Sequence, residues 1–297
     1  MNDGSAPLAS IIVVNYHSFP ALGDCLRSLQ THNQTIPTEI IVVDNASRDD
    51  SLEQLQTQFP WCRLISLPQN RGFGAGNNAG VAIARGDYLC FLNPDTYLTE
   101  DFLPILLNKL EQNPQVGMVA PRLIHPNGQL QLSTAWEISL WGEYRTRQRL
   151  QQFSQGRYQA DIAATYTQEH TVDIVLGAAF VMRRNLFEEV GGFDEQFFMY
   201  FEESDLCQRV RDRGYQILYT PATQVVHLKG TSVERVPDKM ALAYRRSQLY
   251  YYQKHRPLWE QSLLRGYLAV KFGLRALRGG DRLARQQLQQ LLRSPTP

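Results

Sequence analysis

The sequence contains no long hydrophobic run. Its first apolar stretch, IIVV at Ile11–Val14, is far shorter than the ~20 residues a membrane-spanning helix needs. No later stretch of that length is free of charge. The opening Met1–Ser10 has neither a basic start nor an apolar core, so no secretory leader is expected. Cysteine is scarce. Cys25, Cys62, Cys90 and Cys207 form no CxxC pair, which removes a thiolate zinc site or redox motif and fits buried free thiols in a reducing cytoplasm. A dominant charge is missing too. The 30 Lys and Arg against 29 Asp and Glu leave +1, which excludes a globally basic nucleic-acid binder. There is no internal repeat and no low-complexity segment. After the first apolar run the sequence reads NYHSF, without the glycine-rich phosphate loop a nucleotidyltransferase would want there. A soluble or peripheral cytoplasmic protein is expected.

What is present is a chain of 297 residues, 43% hydrophobic and 20% charged, enough for one large domain or one domain with a small appendage. The first half alternates strand and helix. Apolar runs at Ala9–Tyr16, Glu39–Ser47, Arg63–Asn70 and Asp87–Asp95 predict strands. Leu22, Cys25, Leu26 and Leu29 recur at helical spacing, and further helices are expected near Leu52–Phe59 and Ala79–Gly86. Continuous apolar strands imply a sheet covered on both faces. In such α/β sheets ligands bind beyond the carboxyl ends of the strands, where Tyr16, Asp44 and Asp95 fall. In the second half, Val116–Ile124 and Val172–Arg184 read as strands, with an aperiodic aromatic stretch, Ser133–His170, between them. A helix ends near Gly214, followed by two short strands, YQILYTP and TQVVHLKG.

Each candidate motif has a plain structural alternative. Gly74-x-Gly76-x-x-Ala79, with Asp95 nineteen residues after Gly76, fits a dinucleotide fingerprint. Yet PQNRGF separates it from its strand, it follows the third strand rather than the first, and an NAD reading leaves Asp44, Glu203 and His227 without a role. Asp44 and Asn45 in VVDNAS suit ribose and base contacts, or an ordinary turn. Asn93 and Asp95 in LNPD suit a hard cation with a diphosphate, or again a turn. Glu202, Glu203 and Asp205 crowd three carboxylates at a helix mouth; repulsion would raise one pKa toward that of a general base, or the group is a solvated helix start. His227 is a metal ligand or a satisfied core histidine.

Taken together, IIVVNYHS, VVDNASRDDS, NRGFGAGNNAG, GDYLCFLNPDT, GAAFVMRR, GGFDEQFFMYFEESDLCQR and VVHLKGTS resemble the family 2 glycosyltransferases, over roughly Ala9–Ser232. The branch resembled is that of rhamnosyltransferase-like bacterial enzymes of cell-surface polysaccharide. The resemblance implies a GT-A fold, α/β with a Rossmann-like, mostly parallel sheet flanked by helices. Residues 1–232 would form it (a nucleotide-sugar half to about 125, an acceptor half from about 126), with a helical C-terminal extension over 233–297. It implies an inverting, metal-dependent transfer from a nucleotide diphosphate-sugar, dTDP-rhamnose by branch, to a saccharide or lipid-linked hydroxyl. The donor contacts implied are Asn15, Tyr16, Asp44, Asn45, Asn70, Arg71, Gly72, Asn78, Asn93 and Asp95. Asp95 and His227 would hold Mg²⁺ or Mn²⁺. Glu203 would be the base, and Gly177, Phe193, Asp194, Glu202 and Asp205 would line the acceptor side, with Asp205 as a helix cap or supporting acid. Asn93 stands where the family's D-x-D motif begins with an acid, which weakens the metal site and keeps a non-catalytic nucleotide-sugar-binding protein open.

Two further stretches carry expectations. Trp136, Trp141, Tyr144, Tyr158 and Tyr166 suit sugar stacking, or packing and oligomer contacts. Lys271, Arg275, Arg278, Arg282 and Arg285 step by four and three along one helix face, suited to an anionic membrane surface or to packing on protein, with Gly279-Gly280 as a break. Peripheral attachment to the inner face of the plasma membrane is the corresponding expectation.

Overall fold

A computed structural model describes residues 8–228, 237–277 and 281–292. The expected alternation opens the chain: β1 (Ala9–Asn15), α1 (Ala21–His32), β2 (Thr38–Asp44), α2 (Ser51–Gln58), β3 (Arg63–Ser66), α3 (Phe73–Ile83) and β4 (Tyr88–Leu92). Then come β5 (Thr96–Tyr97), α4 (Leu103–Gln112), β6 (Val116–Ile124), β7 (Leu130–Gln131) and β8 (Thr134–Ala135). Helices α5 (Leu140–Ser154) and α6 (Gln159–Thr165) lead to β9 (His170–Val172), β10 (Ile174–Val175) and β11 (Ala179–Arg183). Helices α7 (Arg184–Glu189) and α8 (Glu202–Asp212) precede the long β12 (Gln216–His227). Three helices, α9 (Pro237–His255), α10 (Leu258–Leu277) and α11 (Arg282–Leu292), follow.

The main sheet runs β3-β2-β1-β4-β11-β6-β12-β5. β1 to β4 pair in parallel; β11 is antiparallel to both β4 and β6, and β12 is parallel to β6. β1, β2, β4 and β12 therefore end on the same edge. Strand order reverses between β1 and β4, which opens a crevice at that edge. Alternation sends Ile11, Val13 and Val42 to one face, under Leu22, Leu26, Leu103 and Leu106. Ile12, Ile41 and Phe91 go to the other, under Val81, Phe187 and Leu206. A third cluster joins Phe197 and Phe201 to Tyr251, Tyr252, Leu264, Leu268 and Phe272 of the C-terminal helices.

The structure departs from the sequence reading at five places. Helix α3 begins at Phe73, six residues early, because its glycines let it press onto the sheet. A Cβ at Gly80 would stand 2.6 Å from Ile12 Cγ2, and one at Gly76 2.8 Å from Val14 Cγ1. Ser133–His170 holds α5 and α6; α5 buries only Gly142, so it carries no apolar stripe to read. The run Val172–Arg184 divides into β9, β10 and β11, and the two strands expected after Gly214 are one, irregular between Thr220 and Gln224. The row of five cations is not one face: Lys271 and Arg275 lie on α10, Arg282 and Arg285 on α11, which packs against it. Arg275 pairs with Asp281 at 2.6 Å. Arg278, Gly279-Gly280 and the 232/233 division lie outside the described residues.

Candidate active site

The first layer is built by the ends of β1 and β2, which stand in register, Asn15 opposite Asp44. The Asn15 amide donates to Asp44 Oδ1 at 2.9 Å and reaches Ser47 Oγ at 3.1 Å and Ser51 Oγ at 3.2 Å. Ser47 N–H donates to the other Asp44 oxygen at 3.3 Å. Asp44 is thus fixed from two sides, and Tyr16 stands exposed at the rim. Asn45 Nδ2 donates to Asn70 Oδ1 and to the Gly72 carbonyl, both at 3.0 Å, while its Oδ1 accepts from Arg71 N at 3.1 Å. This ties the turn before α3 to β2.

Gly72 has φ +93°, and a Cβ there would meet the Phe198 carbonyl oxygen at 2.1 Å. Only glycine admits that approach of the loop before α8. Asn78 clamps the same loop, donating to the Phe193 carbonyl at 2.9 Å and accepting from Phe193 N at 3.0 Å. Arg71 pairs with Glu195. Gly74 and Gly76 lie inside α3, not in a turn ahead of it, so the dinucleotide fingerprint has no structural counterpart.

The second layer follows β4. Asn93 N–H donates to the Ala178 carbonyl at 2.9 Å. Asp95 Oδ1 lies 3.2 Å from His227 Nε2, and the other His227 nitrogen is 3.2 Å from Gln131 Oε1. That second contact orients the ring and leaves Nε2 facing the carboxylate.

The third layer is the mouth of α8. Tyr200 and Phe201 take left-handed conformations, φ 68° and 70°, immediately before it. His17, Ala46 and Arg48, after β1 and β2, do the same at φ 52°, 63° and 56°. Backbone strain of this kind collects where the surroundings hold a site in place. Burial pushes the Glu203 carboxyl above its ordinary 4.5, while its own backbone N–H and that of Gly177 pull part of the way back. Glu202 is buried, raised well above 4.5 by burial and then by the Glu203 charge, and its Oε2 has no hydrogen-bond partner. Gly177 lies next to Ala178, so Glu203 joins the same rim as Asn93.

Several residues implied as ligand contacts also meet protein. The amides of Asn15, Asn45 and Asn78 are taken up by the bonds above. Of the five acceptor-side expectations, Gly177 alone faces Glu203. Phe193 packs in a cluster with Phe91, Phe180 and Phe187. Glu202 points inward, one helical step of about 100° from Glu203. Asp194 and Asp205 are gripped by α9: Lys254 Nζ reaches Asp194 Oδ2 at 2.6 Å and Asp205 Oδ1 at 2.7 Å, and His255 Nε2 reaches Asp205 Oδ1 at 2.6 Å. Asp205 is fully buried and caps nothing. Gln131, Glu195, Lys254 and His255 carried no signal in the sequence, because each acts through a partner 50 or more positions away.

The family model for glycosyl transferase family 2 matches residues 10–191. The chain belongs to that family. Over 94% of its length it is 25% identical to N-acetylglucosaminyl-diphospho-decaprenol L-rhamnosyltransferase of Mycobacterium tuberculosis, 96% of which is covered. It is 26% identical to a low-salt glycan biosynthesis hexosyltransferase of Haloferax volcanii, over 73% of this chain and 66% of that protein. Among solved structures it resembles the mannosyltransferase PcManGT from Pyrobaculum calidifontis in complex with GDP-Man and Mn²⁺. The TM-score there is 0.57 at 15% identity, over 97% of this chain and 86% of that one. GalNAc-T7 with UDP, GalNAc and Mn²⁺ gives a TM-score of 0.58 at 14% identity, over 82% and 48%. These two likenesses show the GT-A fold. Within this glycosyltransferase, the Asn93–Ala178 hydrogen bond and the approach of Gly177 to Glu203 link the end of β4 to the α8 mouth.

Proposed function

We propose that this chain transfers rhamnose, with inversion, from dTDP-rhamnose to a hydroxyl of a lipid-linked saccharide in cell-surface polysaccharide synthesis. The observation that carries the reaction is Glu203, a carboxyl raised by burial on the rim that also bears the Asp95–His227 pair. Asp44 and Tyr16 hold the nucleotide, with Asn70, Arg71 and Gly72 closing over it and Asn93 beside the sugar. The acceptor oxygen attacks the anomeric carbon from the face opposite the diphosphate. Its proton passes to the Glu203 carboxylate, the new C–O bond forms, and the bond to the diphosphate oxygen breaks, releasing a nucleoside diphosphate. Gly177 N–H keeps the Glu203 carboxylate aimed at the acceptor. Rhamnose and the lipid-linked acceptor are supported by the similarity to the mycobacterial N-acetylglucosaminyl-diphospho-decaprenol L-rhamnosyltransferase.

One carboxylate oxygen beside one imidazole nitrogen fits a divalent cation, Mg²⁺ or Mn²⁺. Among the described residues no third His, Cys, Asp or Glu joins the pair, so a bound ion would take its other oxygen ligands from the donor and water. Asp95 and His227 would hold the ion, which supplies charge neutralisation at the leaving diphosphate.

The test is a thermal-shift panel of nucleotide sugars with and without Mn²⁺, followed by transfer to a polyprenyl-diphosphate saccharide and NMR of the product's anomeric configuration. We expect dTDP-rhamnose to raise Tm most, the metal to enhance the shift, and the configuration to invert. No shift with any nucleotide sugar, or retention in the product, refutes the reading.

A further inference from the structure

We propose that the outward face of α10 is a lipid-binding surface that lays the protein on an anionic bilayer. The helix buries Leu264, Leu268 and Phe272 against its neighbours. On its other side Trp259, Leu263, Tyr267, Val270, Leu274 and Leu277 are all between 49% and 85% exposed. Their steps of four, four, three, four and three keep them on one stripe. The remaining positions on that side are serine, glycine and alanine. A helix of 20 residues, about 30 Å long, therefore turns an exposed face without a single charge to the outside. Monomeric proteins rarely expose a contiguous apolar patch of that extent, and each of these six side chains is about half or more open to solvent.

Charge selects the occupant. Residues 237–297 hold twelve Lys and Arg against three Asp and Glu, a formal +9, while residues 1–236 hold eighteen against twenty-six, a formal −8. A second copy seated on α10 would bring two strongly positive segments together. An anionic lipid surface accepts both the apolar face and the charge around it. Arg282 and Arg285 on α11 are exposed, and Lys271 lies at the margin of the stripe. Among the described residues no helix is long and apolar enough to cross a membrane, so α10 would lie in the interfacial plane. Trp259 and Tyr267 have the amphipathic rings that suit that depth. The inference deepens the lipid-linked acceptor proposed above and takes its biological sense from that reading, while its physical content is tested without it.

The experiment is co-sedimentation of the full chain with phosphatidylcholine vesicles and with vesicles containing an equal part of phosphatidylglycerol. Partitioning is expected to be at least about tenfold stronger on the anionic vesicles and to weaken with salt. The double variant Trp259→Glu, Leu263→Glu should lose it while keeping its Tm and its turnover of a water-soluble acceptor. Absence of vesicle binding by the unaltered chain overturns the proposal. So does a self-association in sedimentation velocity that the double variant abolishes while vesicle binding persists, since that assigns the face to a second copy. If vesicle binding depends on Trp259 and Leu263 but no nucleotide sugar is ever turned over, the proposed function fails and this surface stands.

Discussion

As the proposed base, Glu203 must be ionised to act, and its surroundings delay that ionisation. Burial lifts its pKa above 4.5, and the Gly177 N–H offsets part of the rise. Transfer should therefore fall as pH drops through this raised value, giving kcat/KM an acid limb above 4.5. Glu203→Gln keeps the size of the side chain and can still accept from Gly177. It should lower kcat by about 10²–10⁴-fold, abolish the acid limb, and leave donor affinity in calorimetry close to the parent's. Near-normal turnover by that variant would remove the base assignment. The crowding of three carboxylates within four positions was legible in the sequence, while the choice of Glu203 among them rests on the family resemblance. The inward turn of Glu202 was not legible, since adjacency along the chain hides the 100° rotation between neighbours on a helix. Nor were the hydrogen bonds of Asn15, Asn45 and Asn78 to protein. An amide suits a ligand and a loop equally well, and its partners within the protein appear only in the tertiary contacts.

At the scale of elements, the part that must be held still is α8, which carries Glu203 and starts from the strained turn at Tyr200 and Phe201. Such residues cost about 1–3 kcal/mol each and persist because surrounding contacts over-determine them. Those contacts come largely from α9. Burial alone would raise Asp205, but His255, Arg209 and Lys254 outweigh it and hold the carboxyl below 3.8. Lys254 also bridges to Asp194, in the loop that crosses Gly72. Lys254→Met leaves two carboxylates short of a partner, one of them fully buried. A stability loss of about 2–4 kcal/mol in urea unfolding is expected, with kcat falling more than KM rises as α8 loosens. Asp205 has a depressed folded pKa, so its contribution is complete above 3.8 and disappears as pH falls through the folded value. The deficit of the variant should accordingly be full at neutral pH and shrink only in strong acid. A neutral-pH stability equal to the parent's would show that α9 does not brace α8. Strands of the first half were readable because burial on both faces leaves continuous apolar runs. Helix α3 was readable only in part: glycine is a poor helix former, and close packing on the sheet overrides that preference.

At the scale of the whole molecule, the sequence divides the chain near 232, where the basic, aromatic C-terminal segment begins. The packing joins what that division separates. Phe197 and Phe201 belong to the segment that leads into α8, yet the buried cluster they join is made mostly of residues of α9, α10 and α11. A chain ending at residue 236 would expose both rings, at about 1.5–3 kcal/mol each. It would also strip Lys254 and His255 from Asp194 and Asp205. Together these losses rival the ~5–15 kcal/mol that stabilises an ordinary domain. The truncated chain is therefore expected to lose cooperative thermal unfolding, to bind a hydrophobic dye, and to show no transfer even to a water-soluble acceptor. The same truncation would also remove α10, so vesicle binding cannot report on it; calorimetry and soluble-acceptor turnover must. If residues 1–236 unfold cooperatively at the parent's Tm and turn over normally, the C-terminal helices are a detachable anchor, and the path from Lys254 through Asp205 to Glu203 carries no catalytic consequence.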